Sequence, residues 1–350
     1  MRARSRPRAA NAAAGHRRGL IRINTARARP ALMGGRRRPR AGTGTTQASA
    51  TRAGAHGQAA HRPEPIRPRR THMYKDLMIP MTGSAGDADA LRLAVKLAAR
   101  HSARLSVLES VDLPVPIGHA WDMVPDPTGG GVYEALRERG QQRLAELKAR
   151  LDDETVCWDA RAVEALYADA PHTVAREAFD ADLCVLAGSG GRADGAAALH
   201  AWFTALLLES GRPVLVVPPA IGPTLPLRRA MVAWQPTRPT ARAVHDALPL
   251  LADAGLVELV VIGRGDDEPA LDSARRMVAH LVRHSIPTDL VNLRAGERSV
   301  AEVLLDYAER SGVQLLVAGG YGHSRLREWV LGGVTRELLL SAQLPVFFGH

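Results

Sequence analysis

The chain has 350 residues, 46% of them hydrophobic, 4% aromatic and 23% charged, with two cysteines. No run approaches the roughly 18 apolar residues of a membrane span, and no signal-peptide apolar core is visible. The formal charge of +10 invites a nucleic-acid partner, but its distribution argues against one. Residues 1–72 hold 18 Arg, no Lys and a single acid, Glu64, for +17, whereas residues 73–350 carry 28 basic against 35 acidic residues, for −7.

The basic balance therefore belongs to the extension and says nothing about the remainder. Residues 1–72 are rich in Ala, Arg, Gly, Pro and Thr and are expected to be disordered, because so few large apolar residues cannot offset the entropy of ordering. Three uses compete: charge-driven binding to nucleic acid or acidic lipid, a transit peptide, or an over-extended reading frame with Met73 as the true start. The break in composition at Met73, with a strand following at once, favours the third. The remaining 278 residues suit two domains. Cys157 and Cys184 lie in separate apolar runs without metal-ligand spacing, which points to two buried thiols in a reducing cytoplasm.

From Met73 the elements alternate. Tyr74 to Pro80 reads as a strand, and Gly83 and Gly86 as a turn. A helix follows, capped by Asp87 or Asp89, with Leu91, Val95 and Ala98 inward. Arg104 to Glu109 is a strand, Val111 to Gly131 a loop rich in Pro and Gly, and Val132 to Leu151 a helix. Thr155 to Val163 is a strand, and Pro171 opens a short helix ending near Phe179. Leu183 to Ala187 is a strand, Ala201 to Glu209 a helix, and Pro213 to Val217 a strand. The order then repeats: strand Arg229 to Trp234, helix Pro239 to Leu251, strand Val257 to Ile262, helix Leu271 to His284, strand Ile286 to Leu293, and a helix to Glu309 capped by Ser299. Val313 and Leu315 to Ala318 form the next strand, a helical pattern runs from Arg325, and Pro345 to Phe348 closes the series.

The repeat is measurable. Leu183 and Leu315 are 132 positions apart, as are Val214 and Val346, whereas Ser84 and Thr237 are 153 apart. The difference of 21 matches the Val111–Gly131 loop, so one βαβαβαβαβ unit is duplicated and the first copy carries an insertion. Alternating strands and helices imply parallel sheets with right-handed crossovers. A ligand then binds beyond the carboxyl ends of the strands, at the switch in strand order. That gathers the turn after strand one, the end of strand two and the loop after strand four.

In the second copy that loop begins Gly319-Gly320-Tyr321-Gly322-His323 and reaches Gly332-Gly333-Val334-Thr335. A strand that stops in glycine and hands over to a helix can present backbone N–H groups to an anion. The spacing Gly319-x2-Gly322-x9-Gly332 resembles the phosphate loop of the universal stress protein family, and residues 73–350 resemble its tandem form. The resemblance implies two five-stranded parallel-sheet domains, Rossmann-like and akin to the adenine nucleotide alpha hydrolases, at 73–220 and 228–350. It implies a stress-response or regulatory role, ATP with Mg2+ as the ligand of some members, and pairing through fifth strands, here between the two halves or in a homodimer. ATP-binding members carry Asp just after strand one; Thr82 stands there in the first half and Gln235 in the second. The family's hydroxyl after the last glycine is Gly333 here, with Thr335 two residues on. The first half reads Gly188-Ser189-Gly190-Gly191 and has Trp202, Phe203 and Thr204 in the region of the third glycine.

The expected nucleotide site is therefore in the second half: Trp234 to stack on a base, Gln235, Gly319, Gly322, His323, Gly332, Gly333 and Thr335. His280 and His284 are i,i+4 on one helix but lack a third ligand nearby in sequence, so they read as a solvated face, and no metal site is expected. Arg325 and Arg327 suit either a phosphate or an ordinary helix face. No nucleophile or acid–base set converges on the switch point, so a binding protein is favoured over an enzyme. The opposed readings are a slow ATPase in the second half and a nucleotide-free scaffold that docks a protein partner.

Overall fold

The computed structural model describes residues 21–23, 73–114, 127–166, 169–191, 195–221, 225–263, 268–321 and 333–350. The first half contains β2 (Asp76–Met81), α1 (Asp87–His101), β3 (Arg104–Leu113), α2 (Pro127–Leu151), β4 (Cys157–Leu166), α3 (Ala170–Arg176), β5 (Leu183–Ala187), α4 (Ala196–Glu209) and β6 (Val214–Val217). The second contains β7 (Arg229–Ala233), α5 (Arg238–Asp246), α6 (Leu248–Leu251), β8 (Leu256–Gly263), α7 (Glu268–Arg283), β9 (Thr288–Arg294), α8 (Val300–Ser311), β10 (Leu315–Gly319), α9 (Gly333–Ser341) and β11 (Val346–Gly349). A further strand, β1 (Ile21–Ile23), lies within the arginine-rich extension and pairs antiparallel with β9; composition alone did not anticipate it.

The strands form one mixed, mostly parallel sheet in the order β1-β9-β8-β7-β10-β11-β6-β5-β2-β3-β4. Within each half the pairing is parallel and the strand order is 3-2-1-4-5, with the switch between the first and fourth strands. The halves join through their fifth strands: β11 runs antiparallel to β6, with Phe347 opposite Leu215. Near-continuous apolar strands such as Leu183–Ala187, buried at all five positions, suit a sheet covered on both faces.

One core holds the sheet residues that meet α1, α2, α5, α6 and α7, and the other those that meet α3, α4, α8 and α9, so both halves contribute helices to each face. Phe347 and Phe348 point to opposite faces, as period-two alternation requires, and both are fully buried at the seam. Phe348 meets Phe203 of α4 edge-on, with ring centroids 4.8 Å apart.

Several expectations shift. The insertion is not all loop: β3 continues to Leu113 and α2 starts at Pro127. Strand starts differ between halves by 153 residues for β2 and β7, 152 for β3 and β8, and 131 for β4 and β9. The extra length thus falls between the second and third strands, where α2 has 25 residues and α7 has 16. The helix expected from Pro239 to Leu251 is two helices, α5 and α6, broken at Ala247 before Pro249. Cys157 is exposed, because it starts β4, which pairs on one side only; Cys184 is buried on central β5 and its thiol is pushed up to about 12 by desolvation. Ser299 caps α8 as expected, in a full capping box with Glu302.

Candidate functional site

In the second half, β7 ends at Ala233 and the chain turns through Trp234-Gln235-Pro236-Thr237 into α5. Thr237 is the extended N-cap residue, and its hydroxyl lies 3.0 Å from that of Thr240. Gln235 and Arg238 are exposed at this mouth. Trp234 is buried in the core cluster that contains Ala243 and Val244 of α5, and its indole nitrogen has no hydrogen-bond partner among the described residues. Continuing the β7–β10 register sets Gly319 level with Trp234. Gly319 also abuts α5: a Cβ there would meet Thr240 N at 2.6 Å and the carbonyl carbon of Pro239 at 2.9 Å. Gly320 is similarly closed by Leu207 of α4, at 2.5 Å from a Cβ. Both glycines thus permit close packing at the end of β10.

Gly333 opens α9 with nothing near a Cβ, and Thr335 is buried within its first turn. Gly322, His323 and Gly332, with Arg325 and Arg327, lie outside the described residues. The structure therefore brings together Trp234, Gln235, the first turn of α5 and Gly319. The N-terminal turn of a helix, with its unsatisfied N–H groups, stands beside the end of the fourth strand.

The first half fills the same place differently. The Asp87 carboxylate accepts from Thr82 Oγ1, Gly83 N and Ser84 Oγ, each at 2.8 Å. Sequence reasoning placed Asp87 or Asp89 as a helix cap; instead Gly86 occupies the N-cap position without a side-chain cap, and Asp87 turns back to close the loop. The spacing Thr82-Gly83-Ser84-x2-Asp87 was the available signal. Asp89 accepts from Ala220 N at 2.7 Å, which holds its pKa down.

A second carboxylate, Glu109, ends beside it, since the β2–β3 register pairs Met81 with Glu109. It is 7% exposed. Burial pushes its pKa up, the Arg143 guanidinium pulls it down, and the charge of Asp87 raises it further. The strand offsets put Thr240 at the place of Asp87 and Val261 at that of Glu109. The first crevice thus carries two buried carboxylates where the second carries a hydroxyl and an isopropyl group, with Arg238 at the rim.

Away from the crevices, His245 of α5 lies against His280 of α7, and His280 against His284, with ring centroids 5.1 and 4.6 Å apart. The sequence showed only the i,i+4 pair; the fold supplies the third ring. Desolvation, then His284, His245 and Arg283, lower the pKa of His280. Among the described residues no group of three or more His, Cys, Asp or Glu side chains is arranged to hold a metal ion.

A duplicated α/β chain with strand order 3-2-1-4-5 in each half and a glycine exit from each fourth strand is a tandem doubly wound α/β protein. The comparisons narrow this. The family model of the universal stress proteins matches residues 73–218 and 228–348, and the chain belongs to the universal stress protein family, in tandem form. A universal stress protein from Archaeoglobus fulgidus is similar in fold at a TM-score of 0.62 and 13% identity, over 78% of this chain and 94% of that one. A protein of the family from Burkholderia pseudomallei is 29% identical over 42% of this chain and 97% of its own, with a TM-score of 0.32. A universal stress protein in complex with cAMP matches at 19% identity over 42% of this chain and 98% of that one, with a TM-score of 0.26. No curated protein matches the chain. Among the described residues no helix is long and apolar enough to cross a membrane.

Proposed function

We propose that the chain is a stress-response regulatory protein whose second half binds an adenine nucleotide, ATP with Mg2+, while the first half serves as its built-in dimer partner. The observation that carries this reading is the charge difference between the two crevices. Phosphates next to the Asp87 carboxylate would meet like charge in a poorly solvated place, where repulsion is strong, with Arg143 offsetting only the neighbouring Glu109. At Thr240 and Val261 there is none, and Arg238 and the α5 N-terminus favour an anion. In this reading Gln235 donates to and accepts from the nucleoside, the core-buried Trp234 backs the base end from below, and Gly319, Gly333 and Thr335 border the phosphates. Two free cysteines suit a reducing cytoplasm.

Mass spectrometry of the purified chain tests this, with Thr240→Asp as the control that rebuilds the first-half arrangement. Wild type should carry or take up an adenine nucleotide, and Thr240→Asp should lose it while its melting transition remains cooperative. Arg238→Glu, at an exposed position, should weaken binding without touching the packing. A wild type that takes up no adenine nucleotide would end the proposal.

A further inference from the structure

The two halves do more than share a strand pairing. Each glycine exit from a fourth strand rests on the fourth helix region of the opposite half. In one direction Gln343 Nε2, just past α9, donates to Gly190 O at 2.9 Å, and Ser189 Oγ donates to Leu340 O at 3.4 Å. In the other, Thr204 of α4 and Tyr321, two residues past β10, share a hydroxyl–hydroxyl hydrogen bond of 2.8 Å. Tyr321 is only 6% exposed, yet its φ is +55°. A non-glycine residue adopts that left-handed conformation only at an energetic cost, so its surroundings must hold it there.

Those surroundings come largely from the first half. The Tyr321 ring lies 6.1 Å from that of Phe203 and 6.3 Å from that of His350. Leu207 closes on Gly320, whose N–H donates to Gly349 O at 2.8 Å and whose carbonyl accepts from His350 Nδ1 at 3.2 Å. Burial raises the pKa of the Tyr321 phenol, and the bond to Thr204 opposes that rise. The direction by which the chain leaves β10 toward its glycine loop is therefore fixed by α4 of the other half. A residue of the first copy's fourth helix thus supports the strand exit of the other copy.

We infer that Thr204 is a positioning residue for the second-half nucleotide site: through Tyr321 it fixes the exit of β10 at Gly319 and Gly320, beside the first turn of α5, so that the site is completed by the first half. This rests on the nucleotide reading given above. It explains why a degenerate first half is kept in the same sheet, and it makes the seam between β6 and β11 part of the binding apparatus.

The test uses the full chain and three variants. Thr204→Val keeps the shape and removes the hydroxyl, Thr204→Ser restores the hydroxyl, and Tyr321→Phe removes the other partner. Titration calorimetry with ATP and Mg2+ should show affinity weakened about three- to tenfold in Thr204→Val and Tyr321→Phe, as expected for loss of one net hydrogen bond, and within about twofold of wild type in Thr204→Ser. Hydrogen exchange without nucleotide should show faster exchange in peptides ending at residues 315–321 for the two weakened variants only. Unchanged affinity in Thr204→Val, or equal loss in Thr204→Ser, overturns the proposal. If wild type takes no ATP, the nucleotide reading fails and the positioning role falls with it.

Discussion

Gly319 stands so close to Thr240 that a Cβ on it would lie 2.6 Å from Thr240 N and 2.7 Å from Thr240 Oγ1. The glycine lets the end of β10 seat against the first turn of α5, and both the turn and the helix start belong to the candidate site. Gly319→Ala should therefore destabilise the chain by about 1–3 kcal/mol through overpacking against backbone. Urea denaturation measures it, and a midpoint equal to wild type would mean that strand and helix have slack between them.

Asp87 in the first half accepts three hydrogen bonds with 6% of its surface exposed. Asp87→Asn turns an amide toward donors and should lower stability by about 1–3 kcal/mol. Because the Asp87 charge raises the Glu109 pKa, the same variant should move the Glu109 titration down. Carbon-detected NMR of the Glu109 carboxyl reads that shift; an upward movement would show that the two carboxylates do not sense each other.

The three-histidine row between α5 and α7 predicts a pH effect. Burial lowers the His280 pKa first, and His284, His245 and Arg283 add to it. The unfolded chain, with an ordinary histidine pKa of about 6.5, then binds more protons than the native state as the pH falls. Stability attributable to His280 is full above that value and declines as pH drops through the lowered one. His280→Gln should flatten this decline, so urea midpoints at pH 7.5 and pH 5.5 should differ less in the variant. An equal or larger difference would show that His280 is not the group responsible.

The seam predicts a large stability effect. Phe348 is fully buried on β11, which pairs with β6, and it meets Phe203 of α4 edge-on. Phe348→Ala should cost about 3–5 kcal/mol. Its unfolding should show whether the halves melt together, since the lost ring binds one half to the other; a loss under 1 kcal/mol would mean that the seam collapses around the cavity.

The order and type of elements were legible because buried parallel strands such as Leu183–Ala187 and Leu315–Gly319 are short apolar runs bounded by glycine or polar residues. The duplication was legible in the 132-residue offsets. Element ends were less so: β3 reaches Leu113 and α2 starts at Pro127 because pairing with β4 and helix packing extend past the point where the local pattern fades. The switch point was read from topology alone. What occupies it in the first half was not, because the Asp87 carboxylate folds back across five residues and Glu109 arrives from the neighbouring strand. Trp234 was expected to stack on a base, but periodicity does not say that its ring would lie in the core. The Thr204–Tyr321 contact spans 117 positions and two copies of the repeat, and no local pattern announces a contact of that kind.

Titration calorimetry of the full chain with ATP and Mg2+ decides most directly whether the two crevices have diverged as their charges indicate. One nucleotide should bind per chain, with binding lost in Thr240→Asp and kept in Asp87→Asn. No heat at high protein concentration, or two equivalents per chain, would contradict a single competent site in the second half.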